Sequence, residues 1–157
     1  MKRLAIAFLL FCITACATPR AGTTRSSGLQ GHGAIAIQVV PNPVVAHLVS
    51  GNTYEFPFDV VVRETGGRAV TISRVSANVY ALGGVQVATE NYDATRIASL
   101  GYSMNLPGNG ELRYHFSPRK TVTNERLFSG VSAQVRVDAY DDTNTPTSAT
   151  VTVTVTK

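Results

Sequence analysis

Ser117-Pro118-Arg119-Lys120 has the spacing S-x-x-K, in which a lysine one helical turn past a serine helps to strip the hydroxyl proton and make a nucleophile. That chemistry needs the serine at a helix N-terminus. Here Pro118 follows a strand-like run, and neither S-D-N nor K-T-G occurs, so the match reads as chance. Gly101-Tyr102-Ser103-Met104-Asn105 approaches a nucleophile elbow but lacks its last glycine. None of His32, His47 and His115 stands in H-x-x-x-H or beside a carboxylate or cysteine at ligand spacing, so no zinc site is assembled. His32, between Gly31 and Gly33, reads as a solvated linker residue. His115 alternates with Tyr114 and Phe116 and reads as the wet side of a strand. Asp138, Asp141, Asp142 and Asn144 crowd one loop and offer oxygens of the kind calcium takes. The same residue types make turns by bonding their own backbone, and that is the preferred reading. Glu90 and Asp93 could stand as the two carboxylates of a glycoside hydrolase, a pairing that any β domain can offer. A hydrolase is therefore the remote alternative, and no enzyme, metal or cofactor is expected.

The elements that would position these groups are strands. From Ala34 onward the pattern has period two, the mark of half-buried β structure. Ile35, Ile37 and Val39 alternate with Ala36 and Gln38, until Pro41-Asn42-Pro43 stops or bends the strand. Tyr54, Phe56, Phe58, Val60 and Val62 share one face, opposite Glu55, Asp59 and Arg63, with Pro57 marking an edge or a bulge. Thr65-Gly66-Gly67 is a hairpin signal. The next strand begins on Val70 and Ile72 and then shifts phase to Val75, Ala77 and Val79. A slip of one residue turns every side chain to the other face, so a bulge or bend is expected near Ser73-Arg74. Leu82-Gly83-Gly84 turns the chain into a short strand carrying Val85 and Val87.

Asp93 could cap one or two helical turns with Ile97 and Leu100, closed by Gly101; an irregular crossover is the alternative. Tyr102, Met104 and Leu106, then Pro107 to Gly110, then Leu112, Tyr114 and Phe116 read as a hairpin. Residues 118–125 read as a polar connection. Val131 to Ala139 alternate with polar residues, and Thr150 to Thr156 alternate with valines, a pattern that suits a strand with one wet face. Left unpaired, this last segment would aggregate, so it is expected to be paired on at least one side. The tyrosines Tyr80, Tyr92, Tyr102 and Tyr140 fall at strand ends and loops, where core or rim packing explains them.

Seven or eight short strands with almost no helix predict an all-β, antiparallel Ig-like β-sandwich, with a small β-barrel as the alternative. The run Phe56 to Val79, a strand ending in Glu64-Thr65-Gly66-Gly67 and followed by Val70-Thr71-Ile72, resembles small bacterial Ig-like and fibronectin-like lipoprotein domains. That resemblance implies a fold and no activity.

The chain begins with Lys2 and Arg3 and an unbroken apolar run from Leu4 to Ile13, shorter than the roughly 20 residues that a membrane-spanning helix needs. Ile13-Thr14-Ala15-Cys16 follows. These four residues resemble the lipobox of bacterial lipoproteins, and the match implies a signal peptide over residues 1–15. It implies diacylglyceryl attachment to the Cys16 sulfur, cleavage before Cys16, and acylation, with palmitate among the acyl groups. Ala17, rather than Asp, implies the outer membrane in a two-membrane bacterium. An ordinary signal peptide cut after Ala17 is the competing reading. On the lipoprotein reading Cys12 is removed and Cys16 is lipidated, so a mature domain without thiols uses a disulfide-permissive compartment without staples.

Residues 16–33 are small and polar and read as a flexible tether, whose span is roughly 20–25 Å. Residues 34–157 form the domain. Removing Lys2 and Arg3 leaves 12 basic residues against 10 acidic, a balance near +2 that gives no reason to expect nucleic acid. The 11 arginines are scattered rather than clustered. No tryptophan is present, which weakens a carbohydrate-stacking role. The expected function is a non-enzymatic, membrane-anchored envelope lipoprotein that binds a protein or glycan partner. An inhibitor or accessory subunit of an envelope complex is the alternative.

Overall fold

The computed structural model describes residues 25–27 and 31–157. Ile13, Thr14, Ala15 and Cys16, which carry the expected anchor, lie outside them. The described chain runs β1 (Arg25–Ser27), β2 (Ile35–Val40), β3 (Val44–Val45), β4 (His47–Ser50), β5 (Thr53–Glu55), β6 (Phe58–Glu64), β7 (Val70–Tyr80), β8 (Gln86–Asp93), α1 (Ala94–Ser99), β9 (Asn105–Leu106), β10 (Glu111–Phe116), β11 (Arg119–Thr121), a 3-10 turn (Glu125–Phe128), β12 (Ser132–Asp141) and β13 (Pro146–Thr156).

Two sheets face each other. The larger has the order β1-β13-β12-β7-β8, with β3 beside β13 and β9 beside β7; the smaller is β10-β6-β2. A third, small sheet, β11-β5-β4, flanks one end. Among the described residues no sheet closes into a barrel. This is the expected all-β sandwich, and its seven long strands are β2, β6, β7, β8, β10, β12 and β13. Alternation does the work: Ala133, Val135 and Val137 of β12 and Val151 and Val153 of β13 point inward against Ile37 of β2 and Val60 of β6. Full burial of a valine or isoleucine contributes roughly 1.5–3 kcal/mol, so a core without thiols can hold the fold.

Several local expectations hold. β12 pairs with β7 with a register shift at Asp138/Ala139, opposite Arg74 and Ile72, so Ser73 is the extra residue of a bulge. Asp93 caps α1 by accepting the Arg96 amide at 2.8 Å; Ile97 is buried, and Gly101 has φ of +81°. β13 is paired along both sides, with β12 on one and with β1 and β3 on the other.

Other expectations are corrected. Thr65-Gly66-Gly67 is no hairpin: β6 pairs with β2 and β10, so these residues carry the chain to the other sheet. Residues 102–116 are no hairpin either, since Leu106 lies opposite Val70 in the larger sheet while Leu112 lies opposite Val62 in the smaller. The aromatic run of Tyr54 to Val62 breaks at Pro57, which lacks an amide hydrogen, into β5 and β6 in different sheets. The polar connection after Pro118 contains β11, paired with β5. Within the stretch expected as a tether, Arg25–Ser27 instead pairs along β13.

Candidate functional site

The acid-rich loop is built by one buried carboxylate. Asp141 Oδ1 accepts the Thr143 hydroxyl at 2.6 Å, the Thr145 amide at 2.8 Å and the Thr143 amide at 2.9 Å. Its Oδ2 accepts the Gly33 amide at 3.1 Å, and His32 Nδ1 lies 3.2 Å away. The Thr143 hydroxyl and these amides hold the carboxyl well below the usual range, although burial opposes them. The other calcium candidates are spoken for: Asp138 pairs with Arg74 at 2.7 Å and Arg136 at 2.7 Å, Asp142 pairs with Arg68 at 2.7 Å, and Asn144 turns the chain at φ of +61°. The loop is a set of turns made by its own acids. Among the described residues no group of three or more His, Cys, Asp or Glu gathers as metal ligands do.

A second buried carboxylate lies at the same end. Glu64 Oε1 accepts the amides of Gly66 at 2.7 Å and Ala34 at 3.1 Å; Oε2 accepts those of Gly67 at 2.8 Å and Asn109 at 2.9 Å. Burial pulls its pKa up, but the four amides outweigh burial and lower it. Close backbone packing completes the knot. A Cβ on Gly66 would stand 2.3 Å from the His32 carbonyl oxygen, and one on Gly108 would stand 2.5 Å from that of Gly67.

The remaining reactive types lie along the strands and the helix cap. His115 is exposed and pairs with Asp59 at 2.8 Å; with Arg113 it holds the Asp59 carboxyl below its usual range. His47 lies on the exposed strand β4. Ser117 lies between β10 and β11 rather than on a helix, and Lys120 pairs with Glu90 at 2.5 Å. Of the two carboxylates weighed as a glycosidase pair, Asp93 caps α1 and Glu90 pairs with Lys120. Tyr102 donates to the His115 carbonyl at 2.9 Å. Tyr92 packs on Phe116 with the Arg96 guanidinium 4.3 Å above its ring, while Tyr140 is exposed.

The opposite end of the sandwich holds a cavity of about 250 Å³ between the sheets. Phe58 and Val39 wall it on one side, Ala77, Ala133 and Val153 on the other. Ala77, Ala88 and Ala133 stand where larger side chains would close the space. The 3-10 turn folds over this end. Phe128 meets Tyr54 edge-on at 5.0 Å and stacks on Phe56 at 6.3 Å, while Tyr54 donates to Glu125 at 2.6 Å. Lys157 bonds Glu125 at 2.7 Å and holds its carboxyl below the usual range. Glu90, Lys120, Thr121 and Thr123 form the polar part of the lining. Exposed apolar residues stand at the same end: Leu48 and Val49 on β4, and Leu82, Val85 and Val87 around the β7–β8 turn.

The sequence signals for the two carboxylates were present. Glu64 continues the inward series Phe58, Val60, Val62, and Asp141 continues Val135, Val137, Ala139. The cavity had no such signal, since it depends on which alanines face each other across sheets.

The sequence matches no protein-family model and no curated protein. Among solved structures it is similar to the structural-genomics target SoR45, with 9% identity and a TM-score of 0.56 over 82% of this chain and 90% of that one. It is also similar to the putative ApaA protein of Bordetella pertussis, with 10% identity and a TM-score of 0.49 over 87% and 96% of the two chains. A CARDB domain from Pyrococcus furiosus matches at 18% identity and a TM-score of 0.34, over 82% and 98%. The SoR45 likeness is one of fold alone.

Proposed function

We propose that this protein is a non-enzymatic binding module, a β-sandwich held at a bacterial membrane surface through lipid on Cys16. The observation that carries the binding reading is the cavity. Its walls are apolar, and the two charges in its lining, Lys120 and Glu90, neutralise each other at 2.5 Å. Such a site takes up apolar surface by excluding water.

The anchor reading rests on Ile13-Thr14-Ala15-Cys16, and one feature of the fold suits it. β1 runs antiparallel to β13, with Arg25 opposite Thr150 and Ser27 opposite Ser148. The N-terminal end of β1 thus faces the end of β13 where Val153 and Val155 line the cavity. Arg25 lies nine positions after Cys16 (25 minus 16), a length of chain that reaches at most about 30 Å. An anchor at Cys16 would therefore leave the cavity end within reach of the membrane. The outer membrane follows from Ala17 on the lipoprotein reading.

A second reading, an accessory or inhibitory subunit acting on a protein partner, is favoured by β8. This eight-residue strand ends the sheet order and pairs only with β7 among the described residues, with Val85 exposed just before it and Val87 exposed on it. An open edge of this kind can accept a partner's strand.

The test is fractionation of cells producing the Cys16 chain or Cys16→Ser, followed by capture of partners from the membranes. The Cys16 chain should sediment with membranes, and Cys16→Ser should appear in the exported soluble fraction. Equal recovery of both in the soluble exported fraction overturns the anchored reading.

A further inference from the structure

We propose that the cavity between the sheets is a binding site for a single fatty acyl chain. The proposal deepens the binding-module reading and relies on the membrane anchor only for the source of the ligand. Three observations converge. First, the space is larger than the ~150 Å³ apolar cavities that stay dry and take up benzene, so it has room for more than one ring's worth of methylenes. Second, its shape follows from its walls. Phe58 and Val39 on one sheet face Ala77, Ala133 and Val153 on the other, and paired sheets stand about 10 Å apart. A slot of that kind admits a slender chain more readily than a branched or polycyclic molecule. Third, the polar groups of the lining, Lys120 with Glu90 and Thr121 with Thr123, are gathered on one side, at and beside β11, a strand whose residues are also exposed to water. A ligand with an apolar tail can bury the tail and leave its head in water there.

The surroundings suit a lipid source. Leu48, Val49, Leu82, Val85 and Val87 are exposed at this same end. On a protein facing water alone they gain nothing, whereas against a lipid surface each lowers the cost of approach. The 3-10 turn is fastened over the cavity by side-chain contacts of Tyr54, Glu125 and Lys157.

The experiment uses the mature chain carrying Cys16→Ser, so that its outcome is independent of whether Cys16 is lipidated. Titration with the fluorescent fatty acid cis-parinarate should show saturable 1:1 binding. Ala133→Phe, which fills the slot, should weaken it at least tenfold while the melting temperature stays level or rises. Ala77→Leu serves as a milder filling should Ala133→Phe fail to fold, and should weaken binding in the same direction. Native mass spectrometry of the unsubstituted Cys16→Ser chain should show one fatty acid bound per chain. Displacement by free palmitate but not by phosphatidylglycerol vesicles assigns the ligand to free fatty acid; displacement by both assigns it to membrane lipid. Non-saturable binding, or binding unaltered in a folded, filled variant, overturns the proposal, while failure of membrane attachment in the fractionation experiment leaves this result standing by itself.

Discussion

The side chain of Asp141 accepts the backbone amide of Gly33 at 3.1 Å, across 108 positions of sequence. The next amide along, that of Ala34, goes to Glu64 at 3.1 Å. Two consecutive amides at the start of β2 are thus held by two buried carboxylates, one from the end of each sheet. Here the chain enters the core, and charge-assisted hydrogen bonds fix it.

This arrangement makes the fold sensitive to acid. Both carboxyls have pKa values lowered on folding, so they stabilise the folded state at pH values above their unfolded pKa of about 4. That stabilisation is lost as pH falls through 4 and toward the lower folded values. Urea unfolding midpoints measured from pH 7 to pH 3 should fall steeply below about pH 4. Asp141→Asn and Glu64→Gln should each flatten the fall, and identical slopes in all three proteins would show that these groups are not its origin.

Glu64→Gln at neutral pH should destabilise the domain. A glutamine keeps one oxygen acceptor, while its NH2 faces two of the four amides that Glu64 now satisfies. Stranding buried donors costs roughly 1–3 kcal/mol each, so a lowering of the melting temperature by several degrees is expected in calorimetry. Arg63→Gln, next in sequence but exposed and paired with Glu111, should change the same quantity by under about 1 kcal/mol.

Gly66→Ala tests the close packing at the same knot. The added methyl would meet the His32 carbonyl oxygen at 2.3 Å and the Ala34 amide nitrogen at 2.9 Å, both backbone atoms. Overpacking of this kind costs roughly 1–3 kcal/mol. Hydrogen exchange should show the amides of Gly33 and Ala34 losing protection in the variant while those of β12 keep theirs. Loss spread evenly over the domain would argue against a local knot.

Tyr114 is buried, donates to the Ser103 carbonyl at 2.9 Å, and has its phenol pushed up to about 12 by burial. Its ionisation, followed by ultraviolet absorbance, should occur only at that pH or with unfolding. Tyr114→Phe should remove the late step and lower stability by about 1 kcal/mol, the net worth of one hydrogen bond. A late step that persists in the variant would assign it to another tyrosine.

The fold class was legible because period-two alternation survives in nearly every long strand. The Ser73 bulge and the Asp93 cap were legible too, since each is local in sequence. What was not legible is which strands pair. Thr65-Gly66-Gly67 has the composition of a hairpin turn, yet Glu64 draws its amides inward and the chain crosses to the other sheet. Pro107 to Gly110 likewise reads as a hairpin turn, and again the Asn109 amide goes to Glu64. One buried acid serves both turns: it directly precedes the first, but the second, 45 positions away, reaches it only once the sheets have packed. For the candidate site, the acid loop was legible as a turn, while the apolar slot depends on Ala77 and Ala133 meeting across a space that only tertiary packing defines.

The measurement that bears most directly on the account is the intact mass of the mature chain extracted from membranes, with fragmentation of its N-terminus. The account predicts a chain beginning at Cys16 and carrying a diacylglyceryl group on the sulfur together with an acyl group on the amine. An unmodified chain beginning at Thr18, released without detergent, would contradict it.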